Sequence, residues 1–186
     1  MELKYKLLEH PFYQAWITGD ITPAQLSRYH KSYKKLVEQI PLYWYRVAVG
    51  LNIYSPKSSK VISEEVLHIS LWNKWSPRLP EEYNYPLMKE LLNSFEVMKP
   101  SELLGALHSF EIQQPEVALT KRNFLTEHYG FSENELSYFD EHLNEAEHIK
   151  YGKEIADNNA NPSDFKKGFD TGSKILYDAL DLFMIS

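Results

Sequence analysis

The sequence predicts an all-α protein. Apolar residues recur at three- and four-residue spacing along most of the chain, helix-start and helix-stop signals divide it, and no segment keeps the two-residue alternation of a strand. Thr22 followed by Pro23 reads as an N-cap with proline at the first helical position, and Leu26, Tyr29, Tyr33, Leu36, Val37 and Ile40 carry the helix on. Pro41 interrupts it, yet Leu42, Tyr43, Trp44, Val47 and Val49 continue its apolar character, which predicts a kink or a break with restart. Asn52 to Lys60 reads as a loop and Ile62 to Trp75 as a helix. Pro77, Pro80 and Pro86 mark a connection to a short helix around Leu87 to Phe95. A long helix is expected from about Glu102 towards His128, stopped at Tyr129-Gly130 by a glycine suited to the left-handed residue past a helix end. Ser132 with Glu135 forms a capping-box pattern that opens another long helix through Glu154, and Asn161-Pro162 opens the last one through Phe183.

Composition narrows the function. The 186 residues, 43% hydrophobic and 14% aromatic, suffice for a buried core and fit one domain over 1–186. Twenty basic residues against 26 acidic ones give a net charge of -6, which argues against nucleic acid as a partner and for a small-molecule substrate. No apolar run approaches the roughly 20 residues that span a bilayer. The opening residues Met1 to Lys6 lead into no signal-like core, so a cytoplasmic protein without membrane partners is expected. The absence of cysteine removes disulfides, thiolate zinc sites, iron-sulfur clusters and cysteine nucleophiles, leaving any metal to nitrogen and oxygen ligands.

Two patterns supply such ligands. Glu65-Val66-Leu67-His68 and Glu145-Ala146-Glu147-His148 each place a carboxylate three residues ahead of an imidazole, and Glu111 lies between them in sequence. On helices each pair occupies one face, the arrangement by which helical proteins hold carboxylate-bridged di-iron or di-manganese centres. One Glu-x-x-His pair is more often a solvated face; two pairs and a lone Glu form a set. Glu64 is as well placed as Glu65 to partner His68. Glu141, Glu145 and His148 form one stripe, which His142 joins only through a local distortion. Glu38 would complete a ferritin-like ligand order, but beside Lys34 and Lys35 it equally suits solvent. His108 shares the face of Glu111 and reads as a supporting or buried histidine, and His30 and His128 as ordinary ones. Carboxylates with imidazoles suit Fe(II) or Mn(II), and dioxygen activation is their natural use.

Longer motifs add a resemblance. The stretch from His10 to Trp16, then Gly19, Thr22 to Leu26, Tyr29, Tyr33 and Pro41, is similar to the opening of the TenA/PqqC superfamily, which has the haem-oxygenase-like fold. The segments His68 to Trp72, Ser109 to Ala118 with Lys121, Tyr129 to Ser132, Tyr138 to His142 and Ile175 to Phe183 resemble its dimetal oxidase branch, and most closely the CADD-type proteins that form p-aminobenzoate. The resemblance implies a bundle of about seven helices and metal ligands at Glu64 or Glu65, His68, Glu111, His142, Glu145 and His148. The chain departs from the family pattern at two ligand positions. The first Glu-to-His spacing is shorter, and the family's His-x-x-x-Asp-x-x-His is here His142-x-x-Glu145-x-x-His148, so that Glu141 competes with His142 as outer ligand.

The same resemblance implies a reaction in folate synthesis that consumes a tyrosine of the protein. Tyr13 would be the sacrificed ring, Lys121 the amino donor and Tyr138 a further ring near the metals. Phe110 stands where that group tends to carry tyrosine. Fe2+/Fe3+ and Mn2+ would be the metals, O2 the co-substrate, with an external reductant and a homodimer by family analogy. Two other readings stand beside it: a dimetal oxygenase or desaturase acting on an external small acid or amine, and a non-enzymatic helical protein that binds a partner.

Overall fold

A computed structural model describes residues 1–78 and 88–184; the expectations that fall on Pro80, Pro86 and Leu87 lie outside the described residues. Among the described residues every regular element is helical. In chain order they are α1 (Pro11–Thr18), α2 (Pro23–Gly50), α3 (Pro56–Trp72), α4 (Lys89–Glu96), α5 (Pro100–Glu111), α6 (Gln114–Tyr129), α7 (Ser137–Glu141), α8 (Ala146–Asn158) and α9 (Pro162–Asp178). None is long and apolar enough to cross a membrane.

The start and stop signals act as the sequence predicts. Thr22 accepts from the Gln25 amide while the Gln25 side chain takes the Thr22 N–H, Glu135 takes the N–H of Ser132, and Asn161 caps the amides of Ser163 and Asp164. Gly130, at φ 68°, ends α6 in the left-handed conformation.

Four expectations change. Pro41 neither breaks nor restarts its helix. It lies buried inside a continuous α2, where the one bond that proline cannot make is outweighed by an apolar face packed along the whole length. The loop after α2 is shorter than predicted, because Ser55 and Ser58 cap each other's backbone and start α3 at Pro56. The helix expected over 102–128 is two helices, redirected at Ile112 and Gln113. Pro115, which has no N–H to donate, sits in the first turn of α6 instead of inside a longer helix. The helix expected from Ser132 through Glu154 is also divided, by a tight turn at His142–Asn144 and a non-helical Glu145.

Helix α5 is the axis of the bundle, buried at Ser101 to Leu107 and Ser109 to Glu111. Helix α9 lies directly on it. A Cβ at Gly168 would overlap the Glu102 backbone, and one at Gly172 would overlap Ala106, so the two backbones approach as only glycine allows. On the other side, α2 packs along α3 and contributes Tyr29, Tyr33, Leu36, Val37 and Trp44 to the core. The predicted ligands reach the interior from α3, α5 and the divided segment α7–α8.

Candidate metal centre

The six proposed ligands converge. Glu65 and His68 face inward from α3, with His68 Nδ1 3.1 Å from Glu65 Oε2. Glu65 Oε1 lies 3.6 Å from His148 Nδ1, and that nitrogen lies 3.1 Å from Glu145 Oε2. Glu145 Oε1 is 3.7 Å from His142 Nε2, and the rings of His142 and His68 meet at a tilt of 47°, 4.4 Å between centroids, which closes the circle. Glu111 comes up from α5 into this group. One ligand atom from each of Glu65, Glu111 and His148 fits within 4.8 Å of the others.

The break between α7 and α8 is what admits His142. His142 opens the tight turn His142–Asn144, and its imidazole is 3% exposed. Its Nδ1–H donates to the Tyr138 carbonyl at 2.7 Å, which leaves Nε2 as the free nitrogen facing Glu145. Glu141 is exposed at the surface. Glu64 is half-buried and accepts from His148 Nε2 at 3.0 Å. A surface depression of about 270 Å³, lined by Lys60, Glu64, His68, Glu141, Glu145 and His148, leads to the group.

The charges in this space are unbalanced. Burial and the neighbouring Glu145 and Glu65 push the Glu111 carboxyl well above the ordinary carboxylate range. Burial lowers the His148 pKa, but Glu145, Glu111 and Glu64 outweigh it and hold the imidazole at about 10. His142, buried and beside His68, is pushed below its usual range despite Glu145. Three buried carboxyl groups crowd around one cationic imidazole, and a divalent cation would displace the protons that Glu111 and His148 hold there.

The resemblance-based residues occupy a second buried region, joined to the first by a run of rings in contact. Tyr138 lies 4.2 Å from His142 and 4.7 Å from Trp72, and Trp72 lies 5.0 Å from Tyr33 and 6.1 Å from Tyr29. Lys121 is 1% exposed because it takes an inward position on α6 beside Val117, Ala118 and Leu125. Its Nζ donates to Tyr29 Oη at 2.6 Å, and Tyr29 Oη lies 3.3 Å from Tyr13 Oη. Burial without an anionic partner lowers the Lys121 pKa to about 7 and raises that of Tyr13 above the usual phenol range.

Tyr29, Tyr33 and Trp72 are members of this region to which neither the helical spacing nor the resemblance assigns a role. Of the remaining candidates, Glu38, His108 and His128 stand apart from it, while His30 packs on its Trp72. Glu38 pairs with Lys35 at 2.9 Å, at the surface. His108 packs against Phe165 and Phe169, His128 is exposed and stacked on Phe124, and His30 is a core histidine bonded to the Trp72 carbonyl.

No family model matches this chain. It is 30% identical over 156 residues to the 4-aminobenzoate synthase of Chlamydia trachomatis serovar D, a match covering 73% of this chain and 67% of that protein. The 4-aminobenzoate synthase of Chlamydia muridarum is 30% identical over 156 residues, with 73% and 65% covered. That of Nitrosomonas europaea is 29% identical over 153 residues, with 68% and 62% covered. The chain thus spans about two thirds of the length of these relatives. It belongs to the 4-aminobenzoate synthase family.

Proposed function

We propose that this protein forms 4-aminobenzoate in an O2-dependent reaction, from the ring of its own Tyr13 and with Lys121 as amino donor, beside a dinuclear Fe or Fe/Mn centre. One observation carries the reading: a fully buried lysine amine, linked through Tyr29 to Tyr13, shares a core with a closed circle of carboxylates and imidazoles. The names of the relatives support the product.

The donor set suits such a centre. Carboxylate oxygens and imidazole nitrogens match Fe(II) and Mn(II), and His148 Nδ1 is buried among the carboxylates, 3.1 Å from Glu145 Oε2, without a well-aligned hydrogen bond. Glu65, His68, Glu111, His142, Glu145 and His148 would hold the two ions. When bound there, the metals supply dioxygen activation and oxidising power.

The chain's own groups do the rest. With its pKa at about 7, Lys121 holds much of its population as free amine near neutral pH, the form able to attack carbon. The hydroxyl of Tyr29, bonded to Lys121 and facing Tyr13, gives the Tyr13 phenolic proton a route to that amine. Rings on all sides keep water out: Lys121 Nζ lies 5.2, 5.0 and 4.9 Å from the ring centroids of Tyr13, Tyr29 and Tyr33. Tyr138 and Trp72 lie between the two regions. Phe110, 6.4 Å from Tyr33, contributes a ring without a hydroxyl.

The surface depression beside His68 and His148 favours a second reading, oxidation of an external small acid or amine. Intact-mass analysis separates the two. Protein loaded anaerobically with Fe(II), given a reductant and exposed to O2, should lose mass at Tyr13 and release an aromatic amine. The Tyr13→Phe variant should bind metal and release none. An unchanged Tyr13 with no amine released contradicts the self-consuming reaction.

A further inference from the structure

We propose that Glu64 is a positioning residue for the metal centre: it accepts the Nε2–H of His148 and turns Nδ1 of that ring inward as the ligating nitrogen, while remaining outside the ligand set. The inference rests on the dinuclear reading above and deepens it.

Glu64 and Glu65 are neighbours on α3, and successive positions on a helix point about 100° apart, so the two carboxylates cannot both face the centre. Glu65 takes the inward position, with its side chain 5% exposed against 37% for Glu64. From the rim, Glu64 still reaches the centre through one side chain. Its Oε2 lies 3.0 Å from His148 Nε2, and its Oε1 lies 3.4 Å from Lys60 one turn earlier on the same helix. The opposite edge of the imidazole faces inward. Nδ1 lies 3.1 Å from Glu145 Oε2 and 3.6 Å from Glu65 Oε1, and no well-aligned hydrogen bond satisfies it.

A metal-binding imidazole is oriented, and its tautomer fixed, by whatever accepts its other N–H; a carboxylate in that role also makes the ring a better donor. His142 shows the same device in the same segment, with the Tyr138 carbonyl as acceptor and Nε2 left free. The two histidines would thus present opposite nitrogens, Nε2 from His142 and Nδ1 from His148, each set by the acceptor behind it. His148 sits at the surface end of the group and has the side-chain carboxylate, the acceptor that substitution can remove.

The test is anaerobic titration of the chain with Co(II), followed by d–d absorption and by ion count, in the wild type and in Glu64→Ala, Glu64→Gln and His148→Ala. The wild type should take up two ions. Glu64→Ala should keep one at wild-type affinity and bind the other about 10–100-fold more weakly with an altered band. Glu64→Gln, which retains an acceptor oxygen, should lose less, and His148→Ala should lose that ion. Because Glu64 is half-exposed, the metal-free Glu64 variants should melt as the wild type does. Wild-type affinity and spectrum in Glu64→Ala would overturn the positioning role. Complete loss of one ion in both Glu64 variants would overturn it in the other direction, by making Glu64 a ligand. Failure of the wild type itself to bind Co(II) would overturn the dinuclear reading, and is distinguished by needing no variant.

Discussion

Glu111 is carried into the interior beside two further carboxylates, and its pKa stands well above the ordinary range because of burial, Glu145 and Glu65. Without metal its protonated form is therefore favoured. A carboxyl raised in the fold favours folding fully below its unfolded pKa and loses that contribution as pH rises through the folded value. Glu111→Gln should accordingly leave metal-free stability near neutral pH unchanged or higher and flatten its decline above the ordinary carboxylate range, while weakening the binding of metal. Thermal melts across pH and metal titration of the same variant check both halves. Since Glu111 and His148 must lose protons to coordinate, loading should release protons and tighten as pH rises, which calorimetry in buffers of different ionisation enthalpy measures.

Lys121 gives the opposite sign. Its pKa falls from 10.5 to about 7 on folding, so the charged form burdens the fold below pH 7 and the burden lifts between pH 7 and 10.5. Lys121→Met should stabilise the protein by at most about 5 kcal/mol below pH 7, less about 1 kcal/mol for the bond lost to Tyr29, with the gain vanishing towards pH 10.5. Amine release should cease.

At the scale of elements, the close approach of α5 and α9 fixes where Glu111 emerges. Gly168→Ala would drive a methyl into the Glu102 backbone and should cost more than about 2 kcal/mol, read from denaturant melts followed by circular dichroism. The caps at Thr22, Ser132 and Asn161 and the stop at Gly130 were legible in the sequence because each acts within five residues. The division at His142–Asn144 was not, because the residues there are ordinary helix formers and packing against α6 and α7 overrides them. The Glu-x-x-His pairs themselves were readable from spacing. The inward turn of Glu65 rather than Glu64, and the bond from Lys121 to Tyr29 across 92 positions, depend on tertiary packing that no local pattern encodes.

At the scale of the whole molecule, two buried regions share one aromatic core. Phe12, Tyr29 and Phe183 pack together from three distant parts of the chain, and His10 bonds to Asp181 to tie the first helix to the last turn. Strain at the ligand circle should therefore be felt globally. Free metal at 100 times its Kd adds about 2.7 kcal/mol per ion to the folded state, or ~5–10 °C in melting temperature for a chain of this size. An unchanged melt after Fe(II) or Mn(II) loading would count against the centre.

The most direct measurement is anomalous diffraction from crystals of the Mn(II)-loaded protein. Two peaks about 3.5–4 Å apart are predicted, enclosed by Glu65, His68, Glu111, His142, Glu145 and His148. Peaks elsewhere, or none among these residues, would contradict the account.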